Sequence, residues 1–243
     1  MSLRLLSANI QAGHSTRAYR DYVVRGWGHV LPNGKQRNLA DIAALAQDFD
    51  LVGLQESDPG SLRSGFTNQT RALAERAGFP YWTHQPNRRV GGIASSANGL
   101  LARIVPTAVF DYALPGRIGG RGVMLARFGE GKAAWVLGVT HLSLSVAARR
   151  QQLDFLGELL ADHPRAVLMG DFNCAAHARE MEGLYRKTAL TPPPEALATF
   201  PSWGPTRSLD HVFTAGFAVR DYRAVPAAGS DHLAVALEIE PQA

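Results

Sequence analysis

Ala166-Val167-Leu168-Met169-Gly170-Asp171-Phe172-Asn173 is an apolar run that stops abruptly on a carboxylate and an amide. Ala166 followed by three branched or bulky apolar residues suits a strand buried on both faces. Gly170, Asp171 and Asn173 are residues that favour a turn where such a strand ends. Read alone, this is a buried strand with a polar tip, and turn chemistry accounts for the tip.

The same arrangement recurs along the chain. Asn9 follows Leu3–Ala8, and Glu56 closes Leu51-Val52-Gly53-Leu54-Gln55-Glu56. His141 follows Trp135–Thr140, Asp210 and His211 interrupt Ser208–Phe213, and Asp231-His232 precede Leu233–Ile239. An apolar strand holding a carboxylate or imidazole at its tip fixes that group on a rigid frame. Each tip has an ordinary explanation. A Glu after a strand is usually solvated, Ser-Asp-His can cap a turn, Asp210 and His211 can pair locally, and His141 can be a satisfied core histidine. Those explanations would have to hold independently at six places of one kind. Glu56 and Asp231, with Asn9, form a hard-oxygen set of the sort Mg²⁺ takes, beside imidazoles and further carboxylates. The histidines lack the close spacing of a zinc site.

Further strand-like runs are Gly99–Val105, Val123–Phe128 and Phe217–Tyr222. Leu39, Ile42, Leu45, Ala46 and Phe49 keep helical spacing. Asn68 is placed to cap a helix ending before Gly78, and Ser145 one running through Leu160 toward Pro164. Helices alternate with strands over the first two-thirds, which indicates a layered α/β fold rather than a β-sandwich. Thr191-Pro192-Pro193-Pro194 reads as a loop, so residues 1–243 are expected to form one domain.

The 243 residues carry 25 basic and 21 acidic side chains, a net charge of +4, with 46% hydrophobic residues. That composition is globular and excludes a disordered or fibrous chain. Cys174 is the one cysteine, which excludes a disulfide scaffold and a Cys-rich zinc module. No apolar run approaches the roughly 18–20 residues of a membrane span. Leu3-Arg4-Leu5-Leu6 leads straight into polar Ser7, Asn9 and Gln11, unlike a signal peptide. The expectation is a cytoplasmic protein of a reducing compartment, without stable membrane insertion or an obligate protein partner.

The pieces Ser7-Ala8-Asn9-Ile10, Leu54-Gln55-Glu56, Thr140-His141-Leu142, Gly170-Asp171-Phe172-Asn173, Ser208-Leu209-Asp210-His211 and Ser230-Asp231-His232 resemble, in order and wording, the endonuclease/exonuclease/phosphatase superfamily of metal-dependent phosphoesterases. The resemblance spans residues 9 to 232, and Gly-Asp-Phe-Asn with a terminal Ser-Asp-His is a specific combination. It implies a four-layer α/β sandwich with two central mixed β-sheets flanked by helices. It implies Glu56 as principal ligand of Mg²⁺ (or Mn²⁺), with Asn9 and Asp231 nearby. His232 would contact the scissile phosphate or activate water, with Asp210 orienting its ring. Asp171 would position or deprotonate the attacking water, while Asn173 and His141 would hydrogen-bond the phosphate.

Asn98 reads equally as a phosphate contact or as the start of an Asn-Gly turn. Where some relatives carry a tyrosine, this chain has Arg117-Ile118-Gly119-Gly120-Arg121-Gly122, and Arg121 is a candidate anion contact. Basic and aromatic residues interleave in Arg17–Trp27, and Arg88-Arg89 follows Tyr81-Trp82, a mild pointer to nucleic acid. The expected activity is hydrolysis of a phosphodiester, nuclease-like. The alternatives are a phosphatase or phosphodiesterase for a small-molecule or lipid phosphoester, and a noncatalytic phosphate-binding relative. The last predicts a broken position among Glu56, Asp171, Asn173, Asp210 and His232, and none is broken.

Overall fold

Leu3 and Leu5 of the first strand, β1 (Leu3–Asn9), enter one apolar cluster while Leu6 and Ala8 enter another, so β1 is covered on both faces. That is the expected fate of an apolar strand in a parallel pair. Its parallel partner is β2 (Leu51–Ser57), reached through helix α1 (Pro32–Ala46). The unit repeats later: β7 (Trp135–His141), helix α3 (Val146–Leu160) and parallel β8 (Ala166–Asp171). The structure, a computed structural model, describes residues 2–11, 32–90, 94–117 and 119–242.

The remaining elements are α2 (Gln69–Ala77), β3 (Tyr81–Val90), β4 (Ala94–Ala102), β5 (Ala108–Ala113), β6 (Gly122–Phe128), α4 (Glu182–Lys187), β9 (Asp210–Ala215), β10 (Phe217–Pro226) and β11 (Leu233–Pro241). The strands form two mixed sheets, ordered β10-β11-β1-β2-β4-β3 and β5-β6-β7-β8-β9. Leu5, Leu51, Leu100, Met124, Val139, Met169, Val212 and Leu237 meet between the sheets. Leu39, Ile42 and Ala46 of α1 and Leu73 and Ala77 of α2 cover the outer face of the first sheet. Leu153, Leu156 and Leu160 of α3 and Leu184 of α4 cover that of the second. Fully burying each such leucine contributes about 1.5–3 kcal/mol, and the three apolar seams fix four layers. The architecture is the expected α/β sandwich of two central mixed sheets.

Local details both match and depart from the sequence reading. Asn68 caps α2, its side chain accepting from Arg71 N at 3.0 Å, and Gly78 ends the helix with φ 71°. Ser145 sits at the start of α3 but makes no side-chain cap bond. Strands β3 and β5 and helix α4 were not anticipated. The strand expected from Gly99 begins at Ala94, so Asn98-Gly99 is no turn. Asn98 pairs with Gln85 and Gly99 with His84 within β4. Gly99 is there for space: a Cβ would lie 2.6 Å from Thr70 Oγ1. The His14–Trp27 stretch lies outside the described residues, as do the side chains of Arg88 and Arg89.

No helix among the described residues is long and apolar enough to cross a membrane.

Candidate active site

The inter-sheet face of each strand carries apolar residues along its length and a polar one at its end. On β1 the sequence is Leu3, Leu5, Ser7, Asn9. On β7 it is Leu137, Val139, His141, and on β8 it is Val167, Met169, Asp171. The period of two turns these strand tips into one cluster. His141 pairs across the sheet with Asp171, and Asp171 with Asp210. Three adjacent strands therefore set His141, Asp171 and Asp210 in a row facing the first sheet.

Two hydrogen bonds cross from the first sheet to that row. Asn9 Nδ2 donates to Asp171 Oδ2 at 3.2 Å, and His232 Nδ1 stands 2.8 Å from Asp210 Oδ2. His141 Nε2 lies 3.3 Å and His232 Nε2 3.9 Å from the same Asp171 oxygen. The other Asp171 oxygen accepts Asn173 N at 2.9 Å, and Asn173 Nδ2 donates to Leu142 O at 3.0 Å. Asp231 Oδ1 lies 3.9 Å from His232 Nε2, and Glu56 Oε1 lies 4.0 Å from His141 Nδ1. Asn9, Glu56, His141, Asp171, Asn173, Asp210, Asp231 and His232 thus converge on one place.

Glu56 reaches it by breaking the strand rule. Strict alternation would send it to the helix side of the sheet. Its φ is 57°, and the pairing with β4 shifts register between Leu54 and Ser57. Gln11 and Asn173, also at strand ends here, have φ of 45° and 54°. Left-handed backbone at such residues costs of order 1–3 kcal/mol and persists where surrounding structure enforces it.

Several supporting groups gave no sequence signal. Thr199 Oγ1 donates to Asp210 Oδ2 at 2.6 Å, and the Phe200 ring lies 4.9 Å from the His232 ring. Ser230 Oγ donates to Asn9 O at 2.6 Å and accepts His232 N at 3.1 Å. Ser230 belongs to Ser230-Asp231-His232, whereas Thr199 and Phe200 lie in a proline-containing loop where no pattern marks them.

His211 and Asn98 are placed differently. His211, next to Asp210, points to the other face of β9, against Phe172 and Phe213, its Nε2 2.8 Å from Cys174 O. Asn98 is buried between the sheets, and its Nδ2 donates to Gly122 O at 2.9 Å, Gln85 Oε1 at 3.2 Å and Val139 O at 3.3 Å. A phosphate contact through that nitrogen would have to displace one of these. Arg121 is half-buried and lies within electrostatic range of His141.

The electrostatics set the two histidines apart. Burial works against charge on His232, yet Asp210, by charge and hydrogen bond, with Asp171 and Asp231, carries its pKa up to about 10. Burial, then the positive Arg121 and His232, hold His141 well below the usual imidazole range. Burial and repulsion from Asp210 raise Asp171 to about 7. Burial also raises Asp231, His232 draws it back, and Glu56 repels it. The surroundings thus favour charge on His232 and disfavour it on His141 and Asp171. Titratable neighbours pushed apart in this way separate acid from base.

Ligand atoms of Asp171, Asp210 and His232 lie within 4.8 Å of one another, close enough to surround a metal ion. Asp210 already binds His232 Nδ1, however, and a protonated imidazole has no lone pair for a cation. The carboxylates of Glu56 and Asp231 repel each other, and Asn9 Oδ1, which accepts Gln11 N at 3.1 Å, keeps a second lone pair. Oxygen donors of net negative charge suit a hard divalent cation.

A search of curated proteins gives no match. Among solved structures, an endonuclease/exonuclease/phosphatase from Beutenbergia cavernae DSM 12333 superposes with a TM-score of 0.73 at 22% identity, covering 99% of this chain and 72% of that one. A mannosyl-6-phosphatase from Bacteroides thetaiotaomicron VPI-5482 gives 0.67 at 19% identity, covering 98% and 99% of the two chains. Sphingomyelinase C from Streptomyces griseocarneus gives 0.64 at 18%, again covering 98% and 99%. These likenesses establish the fold. A model of the Endonuclease/Exonuclease/phosphatase family, whose named activities are all hydrolyses of phosphoesters, matches residues 6–232. That span takes in the strand tips from Asn9 to His232, and on this ground the chain belongs to the Endonuclease/Exonuclease/phosphatase family.

Proposed function

We propose that the chain is a divalent-metal-dependent phosphodiesterase of nuclease type, using Mg²⁺ with Mn²⁺ as a substitute, in which water attacks phosphorus in line with the departing ester oxygen. The observation that carries this reading is the buried Asp210–His232 pair beside Asp171, an imidazolium 3.9 Å from a carboxylate of raised pKa.

Asp171 takes the proton of the attacking water. Asn9 Nδ2 and Asn173 N hold its two oxygens, so the carboxylate keeps one orientation through the reaction. His232 presents Nε2–H to a phosphate oxygen, and Asp210 and Thr199 fix its ring and tautomer. His141 sets a second ring nitrogen beside the same oxygens, and Asn173 retains one amide N–H for phosphate. Glu56 and Asp231, with Asn9 Oδ1, would hold the metal. When bound there, a divalent cation supplies positive charge against the phosphate and leaving-group oxygens. The P–O ester bond breaks as the water oxygen bonds to phosphorus, and the departing oxygen takes up a proton from solvent to leave as an alcohol.

Likeness to a mannosyl-6-phosphatase along nearly the whole of both chains favours a second reading, hydrolysis of a phosphomonoester. One panel tests both. DNA, RNA, abasic DNA, phosphoinositides, phospholipids, bis(4-nitrophenyl) phosphate and sugar phosphates are assayed with Mg²⁺ or Mn²⁺. Diester cleavage that disappears in His232→Ala and Asp171→Ala supports the reading. Wild-type rates in those variants, or turnover confined to monoesters, overturn it.

A further inference from the structure

We propose that a cavity of about 540 Å³ beside the catalytic cluster is a subsite for a second phosphate, carried by the group esterified to the scissile phosphate. The inference rests on the phosphoesterase reading above and names the class of substrate: one with two phosphates.

The cavity lies between Arg117, Gly119, Gly120 and Arg121 on one side and Ser143, Leu144 and the first turn of α3 on the other. Its walls are fixed by buried side chains that do no other work in the site. Gln152 Oε1 accepts Ser143 N at 2.9 Å, while its Nε2 donates to Pro115 O at 3.1 Å and Ser143 Oγ at 2.9 Å. One buried amide therefore ties the two walls together. Arg149 supports the floor, donating to Leu144 O at 2.6 Å and Ser143 O at 3.3 Å while Glu180 holds its guanidinium at 2.6 Å.

The lining has a single sign of charge. Arg117 and Arg121 contribute two guanidiniums, Ser143, Ser145 and Gln151 contribute neutral hydrogen-bonding groups, and among the described residues no acidic one lines the cavity. Ala147 and Ala148 keep the volume open where larger side chains would fill it. A doubly positive hollow with neutral donors matches a phosphate dianion, which a guanidinium binds through two parallel N–H bonds. Its position matches too. Arg121 directly precedes Gly122, whose carbonyl accepts Thr140 Oγ1 at 3.1 Å next to His141, and Ser143 is two residues beyond that histidine. A phosphate in the cavity and another at His141 therefore belong to one small molecule or one stretch of polymer.

Calorimetric titration of the full chain with adenosine 3′,5′-bisphosphate and with adenosine 5′-monophosphate tests this without relying on turnover. The bisphosphate is expected to bind about tenfold tighter or more, the gain of one charge-assisted contact. Arg117→Gln removes one guanidinium, and Ala148→Leu fills the space. A fall of the affinity ratio in either variant supports the subsite. A ratio near one in the wild type, a ratio unchanged in both variants, or binding of neither nucleotide overturns it. Parallel assays with bis(4-nitrophenyl) phosphate separate the two failures. If the affinity ratio holds without hydrolysis of any ester, the enzymatic reading falls and the subsite stands. If hydrolysis proceeds with a ratio near one, the subsite falls alone.

Discussion

His232 Nδ1 and Asp210 Oδ2 stand 2.8 Å apart although one residue precedes the last strand of the first sheet and the other begins the last strand of the second. Thr199 Oγ1 binds the same carboxylate oxygen at 2.6 Å. The pair is buried and charged, and its neighbours fix the direction of its proton. Removing the carboxylate charge while keeping its shape is therefore informative. Asp210→Asn is expected to lower kcat by on the order of 10²–10³-fold, the usual worth of a preorganised hydrogen-bond donor to developing charge, with little change in KM. A steady-state assay beside a far-ultraviolet spectrum checks it, and wild-type kcat in a folded variant would remove His232 from the chemistry.

The two shifted groups also set a pH profile. Asp171, raised to about 7, must be ionised to accept a proton, and His232, raised to about 10, must be protonated to donate. The rate should rise with pH through the first value and fall through the second. A bound cation favours the carboxylate and moves the lower limb to more acid pH. A profile that falls between pH 5 and 7 contradicts the assignment.

Stability of the metal-free protein follows from the same imidazole. The folded pKa of His232 lies above its ordinary value of 6.5, so its contribution is whole below 6.5 and disappears as pH rises toward about 10. Tm should decline across that window, and His232→Gln should flatten the decline. Differential scanning calorimetry in chelator-treated buffer measures both.

Adding Mg²⁺ or Mn²⁺ should raise Tm by mass action, about 2.7 kcal/mol of stabilisation at a hundredfold excess over Kd. Glu56→Gln should weaken that response, because it removes a charged oxygen where the carboxylates of Glu56 and Asp231 repel each other. An unchanged metal response in the variant would move the site elsewhere.

Backbone geometry makes its own prediction at Gly170. Its φ is 153°, and a Cβ would overlap the Thr140 carbonyl oxygen of the neighbouring strand. Gly170→Ala should cost roughly 3 kcal/mol, seen as a lower urea midpoint, because backbone rather than a flexible side chain blocks the methyl group.

The helix starts offer a paired control. Asn68→Ala should destabilise by about 1 kcal/mol through loss of the bond to Arg71 N. Ser145→Ala should have a much smaller effect, since the Ser145 side chain makes no capping bond.

Much of the site was legible in sequence because a chemical group at a strand end stands out against an apolar strand. Asn9, His141, Asp171 and Asp210 each end or begin such a run, and the period of two does the rest. The edge strands β3 and β5 were not legible. Tyr81–Val90 mixes aromatic and basic residues and carries Pro86 beside a bulge, while Ala108–Ala113 is largely exposed. Edge strands need neither a continuous apolar face nor every N–H. Asn98-Gly99 misled through its strong turn preference, which close packing against Thr70 overrides. Glu56 was legible as a candidate, but not the left-handed backbone that delivers it. Thr199 acts only by touching Asp210 across a loop, and contacts of that kind leave no periodic trace.

Ser230 Oγ reaches the carbonyl of Asn9 across 221 positions of sequence and also receives the backbone N–H of His232. The strand that follows it, β11, is the one that pairs with β1 in antiparallel register. Asn9 and His232 therefore come together only once the segment carrying Ser230 has been made and β11 has paired with β1. A polypeptide stalled before Ser230 has Glu56, His141, Asp171 and Asp210 but lacks the imidazolium and the clasp on β1. Closure of the first sheet and assembly of the strand-tip cluster are thus one event, because the residue that clasps β1 also positions the backbone of His232.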